Sequence, residues 1–142
     1  MATAGPQATK KGKGNMKIGF FGAGKMAEGI LSAIPDKKSV VMAERIHERA
    51  AELASKYGVA TTGDVKEVAK KAKLVFLAVK PQDVDSVAAE VKPLLRPDQT
   101  LVSIVAGKTL AKLRSAFGSK PGLVRVMPNL ALCANEIGRA HV

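Results

Sequence analysis

The segment that most restricts the fold of this chain is Gly22-Ala23-Gly24-Lys25-Met26-Ala27, a G-x-G-x-x-A loop. The apolar run Lys17 to Gly22 leads into it as a short buried strand. Met26, Ile30 and Ile34 follow at helical spacing, and Pro35-Asp36 stops the helix. Each small residue has a steric task. Gly22 permits a tight turn, Gly24 lets a pyrophosphate come close to the backbone, and Ala27 lets the helix pack on the strand. The helix N-terminal amides then face the phosphates. Alone, such a loop is a weak signal. Between a strand and a helix it predicts dinucleotide binding.

The same alternation continues along the chain. Ser39 to Ala43, Val59 to Thr62, Leu74 to Val79, Leu101 to Val105 and Leu123 to Val126 read as further strands. Leu74 to Val79 is apolar throughout, as expected of a central parallel strand covered on both faces. Helices are predicted between the strands. Ile46, Ala50, Leu53 and Tyr57 mark one, with Gly58 as its C-terminal cap. Val65, Val68, Ala69 and Ala72 mark the next, opened by a capping box from Asp64 to Glu67. Val84, Val87, Ala88, Val91 and Leu95 mark a third, and Leu110, Leu113 and Phe117 a fourth. Strands and helices in this rhythm specify an α/β fold, a doubly wound Rossmann-type parallel sheet over about residues 16–127.

Composition narrows the function. Residues 1–15 carry Lys10, Lys11 and Lys13 and almost no large apolar side chain, so a flexible basic tail is expected there. No apolar run approaches the roughly 18 residues that span a bilayer, so no membrane association is expected and the compartment reads as cytoplasmic. The weak alternative is a plastid or mitochondrial transit segment. The single cysteine, Cys133, has no internal disulfide partner, and no Cys/His cluster has metal-ligand spacing. The net charge of +11 attracts anions. The aromatics are only four Phe and one Tyr, and Phe20, Phe21 and Phe76 fall in predicted buried strands. With no stacking platform, nucleic acid is not an expected partner.

Three further segments lie at predicted strand ends, where ligands bind in open α/β sheets. Glu44 follows Gly22 at about the twenty-residue spacing of the ribose-binding acid. Its carboxylate would repel a 2′-phosphate, whereas Arg45 beside it would attract one. The two point to opposite coenzymes, and a solvated ion pair at a helix start is the bland reading. Ala78-Val79-Lys80-Pro81 closes the fourth strand and Val105-Ala106-Gly107 the fifth. Lys80 is equally explained as a phosphate contact or as a solvated lysine.

Four motifs now stand in order: the glycine loop within Ile18 to Glu28, Ala78-Val79-Lys80-Pro81-Gln82, Val102-Ser103-Ile104-Val105-Ala106-Gly107, and Arg125-Val126-Met127-Pro128-Asn129. Together they closely resemble pyrroline-5-carboxylate reductases over about residues 16–130. The resemblance implies reduction of the small-molecule substrate 1-pyrroline-5-carboxylate to L-proline, with NADP(H) favoured and NAD(H) the alternative. It implies that Phe21, Gly22, Ala23, Gly24, Lys25 and Met26 hold the pyrophosphate. Ala78, Val79, Lys80 and Pro81, with Val105, Ala106 and Gly107, would flank ribose and nicotinamide, and Asn129 would lie on the substrate side.

The family continues into a helical domain that forms a homo-oligomer and carries the group that orients or protonates the imine. This chain is expected to stop before that domain, with residues 128–142 as its truncated or atypical start. The family's Met-Pro-Asn-Thr-Pro reads Met127-Pro128-Asn129-Leu130-Ala131 here, and Asp64-Val65 stands where an Asn is common. No catalytic residue is assigned, and a fragment that binds cofactor with little activity alone is expected. The competing readings are a related hydroxyacid-type dehydrogenase and a catalytically inert nucleotide-binding module.

Overall fold

The computed structural model describes residues 17–127. The expected tail over 1–15, and Asn129, Cys133 and the rest of 128–142, lie outside the described residues. Six strands alternate with five α-helices: β1 Ile18–Phe21, α1 Lys25–Ala33, β2 Val40–Ala43, α2 His47–Tyr57, β3 Ala60–Thr62, α3 Val65–Lys71, β4 Leu74–Leu77, α4 Val84–Val91, β5 Thr100–Ser103, α5 Leu110–Phe117 and β6 Gly122–Arg125. The sheet order is β3-β2-β1-β4-β5-β6, and every neighbouring pair is parallel. This is the doubly wound Rossmann-type sheet that the alternation predicts. From β1 the chain winds one way to β2 and β3, then crosses to the other side of β1 for β4. That reversal opens a crevice at the carboxyl ends of β1 and β4.

Strand residues alternate between two cores, as the two-residue period requires. Phe20, Val40 and Met42 face α1 and α2, where they meet Ala27, Leu31 and Leu53. Phe21, Val41, Ala43, Val75 and Leu77 face α3, α4 and α5, where they meet Val68, Ala72, Val91, Leu113 and Phe117. Phe20 stacks on Phe76 across the β1–β4 pair, with ring centroids 5.0 Å apart. Gly19 lets α3 close on the sheet: a Cβ there would run into Val68 Cγ1 and stand 2.8 Å from Ala72 Cβ.

Several helix faces differ from the sequence reading. In α1 the buried positions are Ala27 and Leu31, while Met26, Ile30 and Ile34 flank them half-buried. Ile46 and Leu110 are 61% and 48% exposed: Ile46 caps the start of α2 and Leu110 is the first residue of α5. The Asp64 carboxylate does cap α3, accepting from the Lys66 amide at 2.9 Å. Glu67 does not return to the Asp64 amide as a capping box would. Thr62 stands between them: its hydroxyl donates to Glu67 Oε1 at 2.5 Å and accepts from the Asp64 amide at 3.2 Å. Gly58 ends α2 in the left-handed conformation, as expected.

One buried polar side chain ties the α3–α4 layer together. Gln99 is 2% exposed, yet all its bonding groups are used. Its amide donates to the carbonyls of Ala69 (2.6 Å) and Ala72 (2.8 Å), and its oxygen accepts from the Arg96 amide (2.7 Å). The carbonyls at the end of α3 thereby gain partners inside the protein.

Candidate functional site

The glycine loop stands at the reversal point, pinned on both sides. The Gly22 amide donates to the Ala43 carbonyl at 2.9 Å, and the Ala78 amide donates to the Phe21 carbonyl at 2.8 Å. The loop is thus tied to the ends of β2 and β4. Gly22 has φ 94°, a conformation that glycine adopts without strain. Gly24 is different. Its φ is −77°, open to any residue, and a Cβ there would meet nothing within 4 Å. It caps α1 with no side-chain bond. Its glycine therefore keeps space open rather than satisfying the backbone.

In front of the loop lies a cleft of about 450 Å³, a size usual for small-ligand sites. Gly22, Ala23 and Gly24 form its floor, and Ala43 to Ile46 form one wall. Arg49 from α2, Gly63 and Val65 at the start of α3, and Ala78, Val79 and Lys80 complete it, with Asp83, Ser86, Val87 and Glu90 on the α4 side. β4 ends at Leu77, two residues earlier than its apolar run predicts, so Ala78 and Val79 leave the sheet and turn into the cleft.

Past β2 the two opposed residues have different fates. Glu44 is half-buried, and its Oε2 accepts from the Ile46 amide at 2.9 Å, holding the turn into α2. Arg45 is exposed and makes no hydrogen bond or ion pair with any described residue. Lys80 is likewise exposed and unpaired among the described residues. Two cations therefore stand uncommitted at the rim.

The structure brings Gly22, Ala23, Gly24, Glu44, Arg45, Ala78, Val79 and Lys80 together around this cleft. It sets the other candidates apart. Phe21 is wholly buried, with its carbonyl taken by the Ala78 amide, and Val105 is 3% exposed, so neither presents its side chain to a ligand. Lys25 and Met26 form the first turn of α1, and Pro81 opens a 3-10 turn, Pro81–Asp83. Ala106 and Gly107 are exposed beyond β5 and do not line the cleft; Gly107 has φ 78°.

Sequence reasoning missed Arg49 and Glu28. Arg49 reaches across from α2: its Nε donates to the Ala23 carbonyl at 2.8 Å and its Nη2 to the Gly24 carbonyl at 3.3 Å. Nη2 also meets Glu28 Oε1 at 2.9 Å. Glu28 Oε2 accepts from the Tyr57 hydroxyl at 2.7 Å and from Lys56 at 3.0 Å. These donors hold its carboxyl at about 2, well below the ordinary 4.5, with Tyr57 the largest cause and Lys56 next, against the opposing effect of burial. No local signal marks this hub, because Glu28 lies on α1 and its three partners on α2.

Among the described residues, no group of three or more His, Cys, Asp or Glu is placed to hold a metal ion, and no helix is long and apolar enough to cross a membrane.

Fold and loop together define a dinucleotide-binding domain of the Rossmann type. The family model described as "NADP oxidoreductase coenzyme F420-dependent" matches residues 17–107, and the chain belongs to that family. Pyrroline-5-carboxylate reductase 3 of Xenopus laevis is 33% identical over 126 residues, which cover 86% of this chain and 46% of that protein. A solved pyrroline-5-carboxylate reductase from Coxiella burnetii superposes with a TM-score of 0.77 at 29% identity, over 84% of this chain and 46% of that one. A pyrroline carboxylate reductase from Plasmodium falciparum, solved with NADP bound, gives 0.70 at 28% identity over 86% and 45%. The resemblance carried by the four motifs is therefore shown, and it is to the dinucleotide-binding part. The chain spans less than half the length of these relatives.

Proposed function

We propose that this chain supplies the cofactor-binding half of an NADPH-dependent reductase that converts 1-pyrroline-5-carboxylate to L-proline. The observation that carries the reading is the glycine loop. It lies at the reversal point with open space before Gly24, within a sequence one-third identical to pyrroline-5-carboxylate reductases. The residues present fit the group: Gly22 to Gly24 would receive the pyrophosphate, and Ala78 to Lys80 would border the ribose beyond it. Bound there, a reduced nicotinamide supplies a hydride for the imine carbon while the ring nitrogen takes up a proton.

The chain's own contribution is placement. The loop would hold the phosphates, and the chain leaving β1 and β4 would border the rest of the cofactor in the cleft. NADPH is favoured over NADH on the state of the β2 end. Glu44 already uses a carboxylate oxygen on the Ile46 amide, whereas Arg45 is uncommitted and exposed. A guanidinium with no partner of its own suits a 2′-phosphate. The proton donor and the homo-oligomer contacts belong, on this reading, to a second half corresponding to the part of the relatives that this chain does not match.

Calorimetric titration of the purified chain with NADPH and NADH tests the reading. Tighter binding of NADPH is expected, and turnover of pyrroline-5-carboxylate is expected once a helical second half from a relative is fused or added. Binding of neither carrier would overturn it.

A further inference from the structure

We propose that Arg49 is a positioning residue for the cofactor loop, its guanidinium clamping the carbonyls of Ala23 and Gly24 while Glu28 holds it from behind. The inference rests on the dinucleotide-binding reading of the cleft and adds to it a part that the glycine motif does not contain.

The geometry is that of a fork. Nε and Nη2 point along one edge of the guanidinium toward two successive carbonyls of the loop, at 2.8 and 3.3 Å. A trans peptide is planar, with its N–H directed opposite to its C=O. Turning the Ala23 carbonyl toward α2 therefore turns the Gly24 N–H away from α2. The Gly24 carbonyl, already taken by the Glu28 amide at 2.9 Å as the first bond of α1, receives Nη2 as a second donor. Arg49 thus sets the orientation of the backbone dipoles from which a pyrophosphate site is built. A lysine carries the same charge but presents no planar pair of donors.

The anchor is fixed as well. Glu28 takes Arg49 on one oxygen and Tyr57 and Lys56 on the other, so α1 and α2 are joined through one carboxylate. Arg49 and Glu28 side chains are about one-fifth exposed, which shields the pair from solvent screening. Arg49 also meets Glu52 at 3.1 Å. Arg49 lines the cleft, but Glu28 and Glu52 already engage its guanidinium, so its effect on binding is assigned to loop shape and not to a free positive charge.

That distinction sets the test. Affinities for NADPH and NADH are measured for the wild-type chain, R49K and E28Q at two salt concentrations. Amide hydrogen exchange is followed in the ligand-free proteins. R49K is expected to weaken both carriers by the same factor, about tenfold, equivalent to ~1.4 kcal/mol. Its salt dependence should stay unchanged, and exchange should be faster at Gly22 to Gly24 but not in β4 or β5. E28Q, which keeps the shape of the side chain, should show the same pattern with smaller size. Equal binding by R49K and wild type, loss of NADPH binding alone, or unchanged loop exchange would overturn the inference while the cofactor reading stands. A wild-type chain that binds neither carrier would overturn both.

Discussion

Gly22 lies directly against the carbonyl of Ala78: a Cβ on Gly22 would fall 2.7 Å from that oxygen and 2.9 Å from its carbon. The contact is between backbones, so neither side has a rotamer to yield. It joins the glycine loop to the chain leaving β4 and sets the width of the cleft between them.

Gly22→Ala is therefore expected to cost stability as well as binding. The positive φ and the collision together amount to at least about 2 kcal/mol, and thermal unfolding should show a Tm lower by roughly 8 °C or more. Gly24 should behave oppositely. It has an ordinary φ and open space, so Gly24→Val should leave Tm within a few degrees while weakening dinucleotide binding at least about tenfold. A Gly24→Val chain that keeps full affinity would show that the pyrophosphate does not come near this residue.

Arg45 should divide the two coenzymes. Arg45→Ala is expected to weaken NADPH by about ten- to a hundredfold, the weight of a charge-assisted phosphate contact, and to leave NADH unchanged. Parallel titrations with both carriers read this directly. An equal loss for both would move the 2′-phosphate contact to another residue.

Gln99→Leu conserves volume but orphans two carbonyls and one amide that the amide side chain now serves. The expected cost is about 2–3 kcal/mol, seen as a lower urea midpoint with an unchanged slope. Cofactor affinity should hold, because Gln99 does not line the cleft.

Glu28 gives the acid limb of the stability curve a specific cause. Its carboxyl is lowered from 4.5 to about 2 in the folded chain. A depressed acid stabilises the fold above its unfolded value, and that stabilisation is lost as pH falls from about 4.5 toward 2. Unfolding followed by circular dichroism across that window should show the loss in the wild type and a flatter profile in Glu28→Gln. Tyr57→Phe, which removes the largest cause of the shift, should flatten it in part.

The elements were legible in the sequence because buried strands are apolar runs and the helices repeat their apolar positions. The loop was legible because its three small residues fall between an apolar strand run and a helical pattern, the context that gives an otherwise weak spacing its meaning. Ile46 and Leu110 were misread because periodicity does not say which end residues of an apolar stripe are covered. The last two residues of the β4 run were misread because Ala78 and Val79 are apolar in the cleft as they would be in a strand. Arg49, Glu28 and Gln99 were invisible: their partners lie on other elements, and polar contacts at such separations leave no periodic trace. At the β2 end, Glu44 and Arg45 were legible as a pair, but only the turn bond to Ile46 distinguishes the committed side chain from the uncommitted one.

The order of strands also has a consequence for how the protein is made. β1 is made before either of its neighbours, yet it is central in the sheet, paired on one side with β2 and on the other with β4, with Ile18 opposite Leu74. A nascent chain therefore carries its middle strand with one row of amides and carbonyls unmet until Leu77 has been synthesised and has cleared the exit tunnel. For that interval the growing polypeptide exposes a sticky ribbon, and translation that stalls before Leu77 yields a product prone to clump rather than a smaller working module.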